Sequence, residues 1–175
     1  FVDGVSIYPG QEHDLTLKDI KSQYDLCASY LQQIPEDKTI IACPGNQDAV
    51  RLSEQQTKIY EDFGEALYKL KNLIMVSNPA LVNIHADDQF SGFNVLLYHG
   101  YSFDYYIAHT DSIRNQGGYD RADLIMKYLL KRRHLAPTHK STLYVPDPHD
   151  DPLLIKIVPD FFLSGHLHKT SVSHY

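Results

Sequence analysis

The sequence is poor in cysteine and has no long hydrophobic run. Its 175 residues include only two cysteines, Cys27 and Cys43. This favours a reducing compartment, and we expect a cytoplasmic protein. Both cysteines are interpreted as small buried side chains. No stretch approaches the ~20 apolar residues that a membrane-spanning helix needs, and the first residues lack the basic segment and apolar run of a signal peptide. We therefore expect no membrane association.

An excess of basic residues is also absent. The formal net charge is -6, with 22 acidic and 16 basic residues, so the surface as a whole does not attract nucleic acid. Contact with a polyanion would need a local patch or bound cations. The length and the 43% hydrophobic content suffice for one domain with a core. Because the chain begins without Met and neither end carries a start or stop signal, we expect one partial domain, 1–175, truncated at both ends.

Hydrophobic periodicity predicts helices alternating with short strands. The clearest helix is 16–33, where Thr16 and Asp19 resemble a capping box. Two further helices are predicted at 55–71, with Gly64 as a weak point, and at 119–133. Strands are predicted at 38–43, 73–76, 80–84, 94–98, 153–158 and 160–163, with a hairpin loop at 87–92. This order predicts an α/β fold with a partly mixed sheet.

Three of the predicted strands are each followed by a glycine-flanked polar residue that can bind a metal, and the last of them by a second histidine. These residues are Asn46, His99, His166 and His168. A glycine lets the backbone bend after a strand, and the carboxyl edge of an α/β sheet is where ligands bind. Amide oxygen and imidazole nitrogen suit Mn, Fe, Zn or Ni better than Mg or Ca. Asn46 alone is compatible with a turn residue and His99 alone with a hydrogen-bonded strand end, so the metal hypothesis depends on all of them together.

These motifs resemble those of the calcineurin-like metallophosphoesterases. Longer strings resemble, more specifically, the small subunits of the archaeal family-D DNA polymerases. They are GVSIYPGQ at 4–11, PGNQDAVR at 44–51, VSNPA at 76–80, YHG at 98–100 and KRRHLAP at 131–137. The resemblance covers essentially the whole chain. It implies a four-layer fold, in which helices flank two packed mixed sheets, with two divalent cations at the sheet edge. Mn is expected first, and Mg, Fe, Zn or Ni are alternatives.

The resemblance also implies an activity and partners. Such subunits act as proofreading 3′–5′ exonucleases on the single-stranded 3′ end of DNA and pair with a large polymerising subunit. Asn46, His99 and His166 would bind one metal, and His168 the other. Two cations ~3.5–4 Å apart clamp a phosphate and activate a bridging water.

The sequence departs from this family pattern in two respects. An Asp-x-His motif and the first Asp of Gly-Asp-x-x-Asp are absent, and Asp3 matches the second Asp, so we expect weak metal binding. Gln47 stands where active members usually have His. Glutamine donates a hydrogen bond but cannot deliver a proton, so a slow or inactive nuclease is expected. We assign Asp48 to the catalytic loop, where it orients a neighbour or caps a turn. Arg51 is assigned to a substrate phosphate, although a surface position fits it equally well.

Two other functions remain open at this point. A non-catalytic scaffold, like the small subunits of eukaryotic replicative polymerases, is favoured by Gln47. It is disfavoured by the retention of the four metal-ligand candidates named above. A phosphomonoesterase fits the short metal motifs but not the polymerase-like strings. The aromatic run after His99, which includes Phe103 and Tyr106, is better explained by core filling than by stacking on DNA bases.

Overall fold

The computed structural model describes residue 10 and residues 12–175. Predictions that concern Asp3 or the other residues up to 9 and residue 11 lie outside the described part. The chain forms two compact units. The first contains the residues up to Arg51 together with Gln56–Ser77, and the second contains Leu52–Gln55 together with Asn78–Tyr175. The prediction of a single domain over 1–175 stays a prediction.

The first unit packs two helices and two short parallel strands. They are α1 (Ile20–Leu31), β1 (Ile40–Ala42), α2 (Glu61–Tyr68) and β2 (Leu73–Met75), and β1 pairs with β2 in parallel. The core of this unit contains Tyr24, Ala28, Ile59 and Leu67. Cys27 and Cys43 are free thiols and half-buried, and burial raises the pKa of both.

The two helices of the first unit are shorter than the pattern predicts. The capping box at Thr16 is wrong, because Asp19 is the N-cap and its carboxylate accepts a hydrogen bond from the Ser22 N–H at 2.8 Å. In the predicted helix 55–71, the residues before Glu61 are not helical. Glu54, the residue just before this predicted helix, forms backbone hydrogen bonds with a distant segment. The weak point at Gly64 is confirmed, because its backbone is non-helical, at φ -105° and ψ 31°.

A three-stranded mixed sheet organises the second unit. It contains β3 (Ala80–Ile84), β4 (Phe93–Tyr98) and β5 (Phe161–Ser164), in the order β3-β4-β5. β4 is antiparallel to β3 and parallel to β5. The predicted strand 153–158 is wrong. Within it the structure has one isolated bridge, from Leu154 to His134, because this segment forms its hydrogen bonds with residues 133–135 and not with the sheet.

Three helices share a hydrophobic core with β4 of this sheet. They are α3 (Phe103–His109), α4 (Asp111–Arg114) and α5 (Ala122–Arg132), with a 3-10 turn at Gly118–Asp120. The sequence pattern did not predict α3 or α4. The core contains Tyr98, Phe103, Tyr106, Ile125 and Leu129, all almost completely buried. Core filling by Phe103 and Tyr106 is thus confirmed. The mixed α/β organisation is confirmed too, while the four-layer arrangement stays a prediction. Among the residues with described positions, no helix combines the length and apolar character needed to span a bilayer.

The predicted hairpin between β3 and β4 depends on Gly92. Its φ is +79°, and a Cβ atom there would lie 2.3 Å from Asn83 Oδ1 and 2.7 Å from the Ile84 carbonyl oxygen. We expect Gly92→Ala to lower the free energy of unfolding by about 1–3 kcal/mol, measured by urea denaturation. Gly118→Ala is the matched control. It also has positive φ, at +52°, but its Cβ would make only an ordinary contact, 3.5 Å from Ile107. Equal losses in the two variants would contradict the steric explanation.

Candidate metal centre

The structure brings His99 and His166 together at the carboxyl ends of two neighbouring parallel strands. His99 directly follows β4, and His166 follows β5 after one glycine. The last register pair of these strands is Tyr98 with Ser164. His99 Nε2 lies 3.3 Å from His166 Nδ1. The two ring centroids are 5.1 Å apart with an interplanar angle of 68°. Two imidazoles that are 67 residues apart in the sequence are therefore in direct contact.

The backbone bends that produce this contact are not where the sequence suggests. Gly100 has φ +106°, and a Cβ there would lie 2.9 Å from Ser164 Oγ, so only glycine allows this approach of the two strand ends. Gly165 was expected to allow the bend before the two histidines. The left-handed conformation is instead adopted by His166 (φ 64°) and His168 (φ 53°) themselves. Non-glycine residues adopt it at a cost of roughly 1–3 kcal/mol each, and such strain concentrates at functional sites.

The His166 ring is held on two sides by residues near the start of α3. Its side chain is 13% exposed. Nε2 lies 2.8 Å from Asp104 Oδ2, and the Tyr101 ring packs edge-on at a centroid distance of 5.8 Å. No motif in the sequence indicated Asp104. A lone aspartate among aromatic residues gives no signal until the topology places it next to a histidine 62 residues later.

His99 is fixed through its backbone and is neutral at physiological pH. Its N–H donates a hydrogen bond to Asn78 Oδ1 at 2.7 Å, and Asn78 is completely buried. Burial, together with the nearby His166 and His168, lowers the pKa of His99 from 6.5 to about 4. A neutral imidazole is the form that binds metal ions. His168 is exposed.

A buried carboxyl group contacts the residue that precedes His99. Glu54 is 0% exposed, and burial raises its pKa to about 7, although the Thr142, Tyr98 and Asn78 side chains hydrogen-bond to it. The Tyr98 hydroxyl lies 3.1 Å from Glu54 Oε2 and 3.0 Å from Ser102 Oγ. Ser102 Oγ in turn donates to a backbone carbonyl at 2.7 Å. The Tyr98 hydroxyl therefore connects the buried carboxyl group to Ser102.

The loop that carries Asn46 and Gln47 is held in shape by Asp48. Asp48 Oδ2 accepts a hydrogen bond from the Gly45 N–H at 2.7 Å, and its Oδ1 accepts one from the Tyr24 hydroxyl at 2.9 Å. Burial raises the pKa of Asp48, and these two donors oppose that rise. Both oxygens are thus engaged in organising the turn. This is the orienting part of the role that the sequence assigned to Asp48.

Gln47 and Arg51 belong to the same loop. Gln47 is partly buried, and Arg51 is exposed. The Arg51 carbonyl accepts a hydrogen bond from the Gln56 amide at 3.1 Å, and the same amide donates to the Gly45 carbonyl at 3.1 Å. Gln56 therefore ties the two ends of the loop together. The assignments of Gln47 to catalysis and of Arg51 to substrate phosphate stay predictions.

The predicted ligands come from both units of the chain. Asn46 belongs to the first unit, and the three histidines belong to the second. Their grouping around shared cations therefore stays a prediction. In the part of the chain that the structure describes, no group of three or more His, Cys, Asp or Glu side chains is arranged to hold a metal ion. The His99–His166 pair is thus the part of the candidate centre that the structure brings together, and two histidines alone are too few ligands for a metal site.

Comparison with known proteins points to one class of protein. No family model matches the chain. Over nearly its whole length, however, the chain is similar to the small subunits of archaeal DNA polymerases.

The similar proteins share one name, DNA polymerase II small subunit. The chain is 37% identical over 174 residues to that of Methanothermobacter thermautotrophicus, covering 99% of the chain and 34% of the relative. It is 40% identical over 174 residues to that of Archaeoglobus fulgidus, covering 99% and 33%. For Methanocaldococcus jannaschii the identity is 43% over 167 residues, covering 95% and 26%. The resemblance to polymerase small subunits is therefore confirmed. The chain spans about a third or less of these relatives, and the resemblance to the calcineurin-like superfamily stays a prediction.

Proposed function

We propose that this chain is the metal-binding part of an archaeal DNA polymerase small subunit that acts as a metal-dependent 3′–5′ exonuclease. The observation that carries the proposal is the contact of His99 with His166 at the ends of parallel β4 and β5. Similarity to polymerase small subunits over 95–99% of the chain supports the DNA substrate. The partners are a large polymerising subunit and the single-stranded 3′ end of DNA.

The two imidazoles fit a divalent cation in their chemistry and in their spacing. His99 is neutral at pH 7, which is the form in which an imidazole binds a metal ion. We assign His99, His166 and Asn46 to one cation and His168 to a second, with Mn expected first and Mg, Fe, Zn or Ni as alternatives. When bound, the cations would polarise the phosphodiester and lower the pKa of an attacking water. They would also provide the positive charge that a chain of net charge -6 needs to hold DNA.

The other residues of the Asn46 loop have roles that need no proton transfer. Arg51, which is exposed, contacts a substrate phosphate. Gln47 donates a hydrogen bond to the phosphate or to the leaving oxygen but cannot protonate it. Asp48 keeps the loop in shape through Gly45 and Tyr24. General-acid assistance contributes typically ~10²–10⁴-fold, so the enzyme without it is slow.

The test uses the subunit at the full length of its curated relatives. We expect it to shorten a 5′-labelled single-stranded DNA from its 3′ end when Mn²⁺ is supplied. Gln47→His should raise the rate at least ~10-fold, because it restores a proton donor. His99→Ala should abolish the activity. No shortening in either the wild type or Gln47→His would overturn the exonuclease assignment.

A non-catalytic scaffold is the second candidate, and Gln47 favours it. Metal content separates the two functions, because a scaffold has no need of a cation centre. Mass spectrometry of the purified full-length subunit should show about two bound transition-metal ions per chain if it is a nuclease. A metal-free subunit that still binds the large subunit would establish the scaffold.

A further inference from the structure

The carboxylate of Asp104 contacts one of the two ring nitrogens of His166. Asp104 Oδ2 lies 2.8 Å from His166 Nε2, and an ionised carboxylate can only accept a hydrogen bond. Nε2 is therefore the nitrogen that donates to Asp104, and Nδ1 lies on the other side of the ring. That Nδ1 is the atom that faces His99 Nε2 at 3.3 Å. The Asp104 carboxylate thus determines which ring nitrogen of His166 faces His99.

The distance between the two facing nitrogens matches a shared cation. Metal–imidazole bonds are ~2.0–2.1 Å long, so a tetrahedral angle at the metal holds two ligand nitrogens roughly 3.3–3.4 Å apart. The observed separation of 3.3 Å agrees with this value. A shared proton or a shared cation between the two nitrogens is compatible with this close approach.

The His166 conformation needs external support. Its φ of 64° lies in the left-handed region, which a residue with a Cβ adopts only when its surroundings hold it there. Tyr101 packs against the ring edge, but an aromatic edge does not distinguish Nδ1 from Nε2. Of the two contacts that hold this ring, the hydrogen bond to Asp104 is the one that fixes which nitrogen faces His99.

We propose that Asp104 is a positioning residue of the metal centre, which orients His166 so that Nδ1 binds the same cation as His99 Nε2. This inference rests on the proposed function, since it concerns the same centre. Metal-binding histidines almost always donate their second ring N–H to an outer partner, and loss of that partner typically weakens metal binding about 10–100-fold. Asp104 has that geometry, from α3, an element that carries none of the predicted ligands.

The test measures Mn²⁺ affinity of the full-length subunit by electron paramagnetic resonance of the free ion. We expect Asp104→Ala to bind Mn²⁺ about 10–100-fold more weakly than wild type. The Mn²⁺ affinity of Asp104→Asn should lie between those of Asp104→Ala and wild type, because its amide oxygen still accepts the Nε2 hydrogen. The matched control is Asp111→Asn, which removes one exposed carboxylate that pairs with Arg114. It should bind Mn²⁺ like wild type.

A second measurement needs no metal. Nitrogen-15 spectra of the His166 ring in the metal-free subunit should show a protonated Nε2 and a bare Nδ1. Asp104→Ala should give a mixture of tautomers, with an unchanged urea midpoint because Asp104 is half exposed. A merely structural role would shift the midpoint and leave the tautomer unchanged.

Three outcomes decide the matter. Weaker Mn²⁺ binding with mixed tautomers supports the role of Asp104. Unchanged binding in Asp104→Ala, while the wild type binds Mn²⁺ and degrades DNA, overturns that role and leaves the proposed function intact. A wild type that binds no Mn²⁺ overturns both.

Discussion

Replacing Glu54 with glutamine is expected to stabilise the protein at pH 8 and to change its stability little at pH 5. Glu54 is fully buried, and burial raises its pKa from 4.5 to about 7. Between pH 4.5 and pH 7, Glu54 of the folded protein keeps a proton that the unfolded chain has released. The contribution of protonated Glu54 to the free energy of unfolding is therefore fully present below pH 4.5 and falls as the pH rises towards 7.

The size of this effect follows from the pKa difference. One pKa unit corresponds to 1.36 kcal/mol, so the ionised Glu54 costs about 3 kcal/mol at pH 8. Glutamine has nearly the same shape and no charge to bury. Its amide oxygen can accept the Tyr98 hydroxyl as Glu54 Oε2 does, at the observed distance of 3.1 Å. The substitution therefore removes the loss of stability that ionised Glu54 causes above pH 7, and it keeps most of the hydrogen bonds of this side chain.

Urea denaturation at pH 5, 6, 7 and 8 measures this prediction. The free energy of unfolding of Glu54→Gln minus that of wild type should rise by about 3 kcal/mol across this range. Other titrating groups, including His99, contribute to both proteins and largely cancel in the difference. Glu36→Gln is the control, because Glu36 is exposed and should give a difference that is flat with pH. A flat difference for Glu54→Gln as well would show that Glu54 ionises normally.

The elements that sequence could predict are those defined by local pattern. Strand β3 and the helices around Tyr24 and Ile125 alternate or repeat with a clear period, and the structure has them. Glycine-flanked polar residues after strands correctly indicated where His99 and His166 lie. The topology of parallel neighbouring strands is sufficient to bring two such strand ends together.

The residues that sequence could not reveal act through long-range contacts. Glu54 contacts Tyr98 across 44 residues, and the pattern assigned the segment just after it to a helix. Asp104 reaches His166 across 62 residues. The predicted strand 153–158 failed for the same reason, because tertiary hydrogen bonds to residues 133–135 replaced a place in the sheet. Local propensity carries no information about such partners.

The predicted role of Asp48 shows a subtler limit. Its type and place in the motif suggested catalysis, together with Gln47. The structure adds that both carboxylate oxygens already accept hydrogen bonds, from the Gly45 N–H and the Tyr24 hydroxyl. A side chain engaged in this way orients the Asn46 loop. Sequence alone cannot distinguish a carboxylate that meets a substrate from one that holds the loop beside it.

Phe103→Ala is expected to lower the free energy of unfolding by about 3–5 kcal/mol. Phe103 is 0% exposed, and its ring packs edge-on against Tyr98 at a centroid distance of 5.9 Å. The first residue of α3 thus anchors the helix to β4, the strand that ends just before His99. Removing the ring leaves a cavity that the surrounding residues fill only in part. Phe103→Leu should lose less, because it keeps most of the buried volume.

The same substitution links the core to the candidate centre. Asp104 is the next residue on α3, so a loosened helix start should also weaken Mn²⁺ binding by the folded protein. Tyr30→Ala is the control. It removes an aromatic ring of similar size that is 62% exposed, and it should shift stability by no more than about 0.5 kcal/mol. Urea denaturation and Mn²⁺ titration of both variants provide the test. A stable Phe103→Ala protein would show that α3 does not depend on this anchor. Loss of stability without loss of Mn²⁺ affinity would show that Asp104 is held by other contacts.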